Sequence, residues 1–329
     1  MTQKPFMNAS TAGTPHRIGF HRILLCVDST TVVAASAMLV RTLAGTGAQV
    51  QIVGVLENAR AAIPLGPLAD FNQNAAHARL LREVNARVAE ACQLVNESDA
   101  AVFTKVVDLI ADGGDAAHAI AHAAQTWEAD LMILGARHHR GLVRWVERAA
   151  GAPDMRIGGC TILVVPQGGE TSRSARPQRI LAAVDGSPAS MDALRTAIGL
   201  ATEPARIKVL YVIDRATRVT EHVSQGLQDA FEDEGRVALS RSMDAFAGSL
   251  SADRIEYETY LARTDRTGDD VPTAILREAT RWQADLLAMG THGRRSVARW
   301  MLGSVSARVA EFARIPLILV RQRDGKPGV

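Results

Sequence analysis

Four tryptophans divide this chain of 329 residues into two matching halves. An offset of 155 residues separates Trp127 from Trp282, and the same offset separates Trp145 from Trp300. The surroundings repeat with them. "TWEADLMILG" around Trp127 matches "RWQADLLAMG" around Trp282, and "RILLCVDST" at 22–30 matches "RILAAVDGS" at 179–187. An apolar run closes each half, "TILVVP" at 161–166 and "PLILVR" at 316–321. Matches kept in order over this length mark a tandem duplication, which constrains the fold more than any local propensity. The polar stretch "QGGETSRSARPQ" (167–178) has Gly and Pro but no periodicity, and reads as the linker. That leaves two units of roughly 145 residues, an ordinary domain size. They run over 21–166 and 179–322, with flexible tails expected at 1–20 and 323–329.

Within each unit, short β-rich runs alternate with helical patterns. In the second, "RILAAVD" reads as a strand, with Ser187 as N-cap and Pro188 as first residue of the helix "PASMDALRTAIGLA". Then follow strand "RIKVLYVID", a long amphipathic helix around 225–249, strand "RIEYETYLA", helix "VPTAILREATRWQ" and strand "DLLAMG". After a glycine loop, helix "SVSARVAEFA" and strand "PLILVR" complete the unit. Such alternation implies right-handed βαβ crossovers and a parallel sheet covered on both faces. The expected class is α/β: two tandem five-stranded parallel-sheet α/β/α sandwiches, Rossmann-like in plan.

Composition limits the function classes. Lys and Arg number 37 against 35 Asp and Glu, so bulk electrostatic attraction to nucleic acid or a membrane surface is not expected. Cys26, Cys92 and Cys160 stand alone in apolar surroundings without a CxxC pair, the pattern of reduced, buried thiols. "MTQKPFMNASTAGTPHRIGF" lacks the apolar core of a signal peptide, and no stretch reaches the ~20 apolar residues of a membrane span. A cytoplasmic location is expected.

The second half carries the informative loop. Residues 290–304, "GTHGRRSVARWMLGS", space Gly290, Gly293 and Gly303-Ser304 as G-x2-G-x9-G-S. In an open α/β sheet ligands sit beyond the carboxyl ends of the strands. Asp185, Val212 and Gly290 fall at three such ends and point at one crevice. Glycines let backbone approach an anion, and the helix beginning at Gly303-Ser304 offers free N–H groups and a favourable dipole to phosphate. Taken singly, Gly290 ends a strand, Gly303 makes a turn and Ser304 caps a helix; together with the acidic residue they favour a nucleotide site. The spacing is neither a Walker A loop nor a GxGxxG fingerprint.

G-x2-G-x9-G-S with a V-D-G-S first strand resembles the universal stress protein family in its ATP-binding branch, over almost the whole chain. The resemblance implies a nucleotide contacted by Ala183, Asp185 and Ser187 around the first strand, with Asp185 beside the nucleoside and Val212 offering backbone contacts to adenine. It assigns Gly290, His292, Gly293, Arg294, Gly303 and Ser304 to the phosphate side. The implied ligand is ATP, alone or with Mg²⁺. The family also pairs domains through their last strands, implying a pseudo-dimer within one chain and leaving a further homodimer open.

The first half departs from this pattern. In "GARHHRGLVRWVERA" (135–149), His138 replaces Gly293, Arg148 replaces Gly303 and Ala149 replaces Ser304, while Asp28 keeps its place and Ser29 stands for Gly186. Gly151 and Pro153 also interrupt the helix that should follow. The first half therefore reads as a degenerate partner. The alternative is a new basic anion site built from Arg137, His138, His139, Arg140, Arg144 and Arg148, though a charge run is more often a solvated face. His118 and His122, four apart, have metal-compatible spacing but read as surface residues. The expected function is a cytoplasmic ATP-binding stress-response regulator. A slow ATPase or nucleotidyl-transfer enzyme, with His292 near phosphate, is the rival reading, and an interaction protein with a structural nucleotide is the third.

Overall fold

In the computed structural model the described residues are 19–29, 31–57, 73–97, 99–135, 160–166, 177–201, 204–214, 225–247, 255–265, 269–293 and 302–321. Residues 1–18, 167–176 and 322–329, which hold most of the expected tails and linker, lie outside them, as do Trp145, Trp300 and the loop of 136–159. The first half runs β1 (Phe20–Val27), α1 (Val33–Leu43), β2 (Ala44–Leu56), α2 (Gln73–Val95), β3 (Ala101–Asp108), α3 (Ala116–Thr126), β4 (Leu131–Leu134) and β5 (Thr161–Val164). The second runs β6 (Arg179–Ala183), α4 (Pro188–Leu200), β7 (Ala205–Ile213), α5 (Gln225–Ala247), β8 (Ile255–Arg263), α6 (Val271–Arg281), β9 (Leu286–Gly290), α7 (Ser304–Phe312) and β10 (Leu317–Val320).

The repeat is written into the strand starts. In each half an arginine near the start of the first strand reaches a tryptophan at the end of the third helix. Arg22 lies 4.7 Å from the Trp127 ring centroid and Arg179 lies 4.8 Å from that of Trp282, within cation–π range. Arg22 Nε also donates to the Trp127 carbonyl at 2.6 Å, and the Arg179 guanidinium donates to that of Trp282. Asp130 and Asp285 each accept two backbone N–H groups from the strand opposite: His21 and Arg22 in one half, Gln178 and Arg179 in the other. Even the left-handed residues after the tryptophans repeat, Glu128 at φ 51° and Gln283 at φ 55°. Burial pushes the Asp285 carboxyl above the ordinary carboxylate range, despite the two N–H groups it accepts.

Five parallel strands form each half, in the order β3-β2-β1-β4-β5 and β8-β7-β6-β9-β10. The central strands are covered on both faces, which is why they read as continuous apolar runs rather than alternating ones. All four residues of β4, β5 and β10 are buried. Alternate residues serve two cores. Ile23, Leu25, Ile180 and Ile318 join one face, packed against α1, α2 and α4, and Leu24, Cys26, Leu181 and Leu317 join the other. The thiols follow suit in part: Cys26 and Cys160 are buried and their thiols pushed far up by burial, but Cys92 is only half-buried. His118 and His122 are exposed on α3 while Ile120 between them is buried, as expected of surface histidines.

The two five-stranded units meet in one sheet. β5 and β10 pair antiparallel, with Ile318 opposite Leu163 and Leu319 opposite Ile162, and complete a ten-stranded sheet. An apolar last strand left as an edge would be an association hazard, and each half covers the other's. Residues 179–329 expressed alone should therefore aggregate or form a homodimer through β10. Light scattering checks this, and a well-behaved monomer would show that pairing at β10 is dispensable.

Candidate functional site

The crevice in the second half forms where the chain leaves β6 toward one side of the sheet and β9 toward the other. β6 lies between β7 and β9, with Ala183 opposite both Leu210 and Met289. The residues after Ala183 therefore emerge between the ends of β7 and β9, where strand order reverses and ligands are expected in such sheets. Ala183 is buried at the floor, and Asp185 and Val212 are half-buried above it.

A tight turn carries the chain from β6 into α4. Gly186 takes φ +80°, a left-handed conformation costly for other residues. Ser187 caps α4, accepting the N–H of Ser190 at 3.3 Å, with Pro188 next in line. Ser190 returns its hydroxyl to the Ser187 carbonyl at 2.9 Å and accepts the Asp185 N–H at 3.3 Å. Asp185 Oδ1 accepts the Ser187 N–H at 3.0 Å. The other carboxylate oxygen, Oδ2, faces Gly293: a Cβ built there would lie 2.8 Å from it. Ser187 Oγ donates to the His292 carbonyl at 3.4 Å, tying the turn to the loop after β9.

The glycines of that loop do different work. Gly290 ends β9 against the first turn of α4, where a Cβ would lie 2.8 Å from the Ser190 nitrogen and 2.9 Å from the Ala189 carbonyl carbon. The close approach that requires glycine at 290 is thus to the protein's own backbone. Gly303 has ordinary φ and ψ of −62° and 152°, and a Cβ there would meet nothing nearer than 3.4 Å. It is the N-cap of α7, and among the described residues no side chain caps that terminus. The Thr291 carbonyl holds the loop in place, accepting the Gly303 N–H at 2.8 Å and the Ser306 hydroxyl at 2.8 Å. Arg308, one turn into α7, reaches Asp270 at the start of α6 at 3.3 Å. The uncapped end of a nine-residue helix, with Ser304 exposed, offers N–H groups and the positive end of the helix dipole. His292 is half-buried, its Nδ1 2.8 Å from Thr291 Oγ1, and Gly293 is exposed. Arg294 lies outside the described residues.

The rim across β8 is charged and ordered. Asp269 is buried and accepts from Arg277 at 2.9 Å, from the Asp265 N–H at 2.9 Å and from the Asp270 N–H at 3.1 Å. The Arg277 guanidinium holds the Asp269 carboxyl below the usual carboxylate range.

The corresponding corner of the first half is closed. Asp28 is 2% exposed, whereas Asp185 is half-buried. Thr31 Oγ1 donates to Asp28 Oδ1 at 3.1 Å and accepts the Asp28 N–H at 3.0 Å. Its methyl group crowds Gly135, where a Cβ would lie 3.0 Å away. Thr31 thus stands between the ends of β1 and β4. His138, Arg148, Ala149 and the alternative basic cluster lie outside the described residues.

A profile of the universal stress protein family matches residues 19–148 and 177–321. The chain belongs to the universal stress protein family. A curated universal stress protein of Methanocaldococcus jannaschii is 28% identical over 153 residues, 44% of this chain and 82% of that one. One from Mycobacterium tuberculosis is 24% identical over 196 residues, 59% of this chain, and the match spans 63% of its length. Among solved structures, a universal stress protein from Archaeoglobus fulgidus aligns over 92% of this chain and 96% of its own, with a TM-score of 0.53 at 15% identity. The family fold, in tandem, is the fold described above.

Sequence reasoning on this universal stress protein missed Ser190, Thr291, Ser306 and Thr31. Ser190 and Ser306 each sit three residues after an N-cap, a spacing that signals a local hydroxyl-to-backbone bond. Nothing in the sequence marks Thr291 or Thr31. The steric contrast between the glycines is testable. Gly290→Ala should destabilise the protein by about 1–3 kcal/mol through overpacking against α4, while Gly303→Ala should stay within about 0.5 kcal/mol. Urea unfolding of the two variants checks both.

Proposed function

We propose that this universal stress protein is a cytoplasmic regulator that binds one adenine nucleotide, ATP with or without Mg²⁺, in its second half. Residues 179–322 form the binding domain and 21–166 its pseudo-symmetric partner. One observation carries the reading: among the described residues the α7 N-terminus has no side-chain cap and the half-buried Asp185 faces Gly293, while Thr31 fills the matching corner of the first half. A chain of phosphates suits the first arrangement. It satisfies first-turn N–H groups that have no partner within the helix, and the dipole favours its charge. The half-buried Asp185 and Val212, with Ala183 beneath, offer the nucleoside a polar and an apolar wall. The described loop brings no lysine to the α7 terminus in Walker fashion, which favours retention of nucleotide over rapid turnover.

Isothermal titration should give one ATP per chain, and two equivalent sites would overturn the asymmetry. Gly303→Arg copies the first half's residue into the second. It should leave the fold intact, since the backbone angles at 303 suit any residue and, among the described residues, a Cβ there meets nothing nearer than 3.4 Å. It should weaken ATP binding by several kcal/mol, each lost charge-assisted contact contributing roughly 1.5–3. Unchanged affinity in the folded variant would remove the phosphate role from this loop. Steady ADP release from ATP and Mg²⁺ at catalytic rates would turn the assignment to an ATPase.

A further inference from the structure

A chain of charges joins the starts of α6 and α7. Asp269, 8% exposed, gathers the loop before α6 by accepting the Asp265 and Asp270 N–H groups and the Arg277 guanidinium. That fixes Asp270, the N-cap of α6, whose Oδ1 accepts the Thr273 N–H at 2.8 Å. The other oxygen, Oδ2, meets Arg308 Nη1 at 3.3 Å. Hydrogen bonds from Thr273, with the charge of Arg308, hold the Asp270 carboxyl below the usual carboxylate range. In the first half α3 is the matching helix. Both helices have eleven residues, with Asp115 or Asp270 as N-cap, Trp127 or Trp282 as C-cap, and Ile120 or Ile275 buried between. There Gly114, at φ 101°, stands in place of Asp269, and the exposed His122 in place of Arg277. In sequence Pro153, outside the described residues, stands in place of Arg308.

Arg308 is the only basic residue of α7. It follows Ser304 by four residues, and both are exposed on the same face of the helix. Helical side chains lean toward the N-terminus, so an arginine there overhangs the first turn and its N–H groups. Among the described residues Asp270 is its one partner, engaging Nη1. Nη2 and Nε are left as donors to a second acceptor.

We infer that Arg308 is a specificity-determining residue of the second-half site: held over the α7 terminus by Asp270, it contacts the phosphate chain and makes the site favour ATP over AMP. This rests on the nucleotide reading proposed above. With the nucleoside at Asp185 and Val212, the part of the ligand that reaches α7 is the phosphate chain, whose negative charge grows with each phosphate. The helix terminus supplies roughly half a positive charge. Arg308 adds a full one, on a planar fork of donors suited to phosphate oxygens. Asp270 orders that fork in advance, so less side-chain freedom is lost when the ligand binds. The guanidinium then bridges a carboxylate on one side and a phosphate on the other.

Isothermal titration of ATP and AMP into the full chain tests the assignment. Wild type should bind ATP more tightly than AMP. Arg308→Gln should weaken ATP about tenfold, the loss of one charge-assisted contact at an exposed site, and leave AMP near its wild-type affinity. Asp270→Asn separates this role from a mere tie between helices. It keeps a side-chain cap for α6 and keeps the arginine while removing the ion pair, and should hold the ATP-to-AMP ratio near the wild-type value. A ratio unchanged in Arg308→Gln, or lost as fully in Asp270→Asn as in Arg308→Gln, overturns the role of Arg308 while the nucleotide site stands. A wild-type chain that binds no ATP overturns the nucleotide reading itself, and this assignment with it.

Discussion

The antiparallel pairing of β5 with β10 is the contact on which the architecture rests. Each half is a parallel sheet whose last strand is wholly apolar, and such a strand is tolerable only if something covers its open edge. Pairing like with like covers both edges at once. It also merges the cores: the faces carrying Leu163 and Ile318, and Val164 and Leu317, run continuously from one half into the other. A duplicated chain therefore does more than carry two copies. It supplies in one molecule the partner that each copy's edge demands, and a half that binds no ligand would still be held in place by that demand.

Within each half, what is kept and what has drifted separate along the strand axis. At the strand starts the arginine, tryptophan and aspartate clamp is reproduced residue for residue, because it closes the sheet against the third helix and anchors the first strand. At the strand ends the two halves diverge. Asp28 is buried under Thr31, while Asp185 is half-buried beside Gly293. The clamp and the proposed binding site thus lie at opposite ends of the same strands, as the crossover geometry of α/β sheets favours, so that one end can change without disturbing the other.

The legible parts of the sequence were those set by long-range repetition and by local chemistry of one residue type. The duplication, the parallel sheet implied by alternating elements, the Ser187-Pro188 helix start and the buried course of Ile120 between two surface histidines all followed from spacing. The illegible parts depended on contacts between segments distant in the chain. Gly290 looked like a ligand glycine in the pattern, yet the backbone it accommodates belongs to Ala189 and Ser190, a hundred residues away. Thr31 looked unremarkable because its role comes from lying between Asp28 and Gly135. No periodicity encodes such an encounter.

The strand ends show how a duplicated fold can keep geometry while changing chemistry. In both halves an aspartate follows the first strand and is held by the turn after it: Asp28 accepts from the Thr31 hydroxyl, and Asp185 from the Ser187 N–H. Thr31 fills the space between Asp28 and Gly135 in the first half, whereas a half-buried Asp185 faces Gly293 in the second. The fold constrains how this corner is filled, and the residue type decides how much of the aspartate is left to solvent.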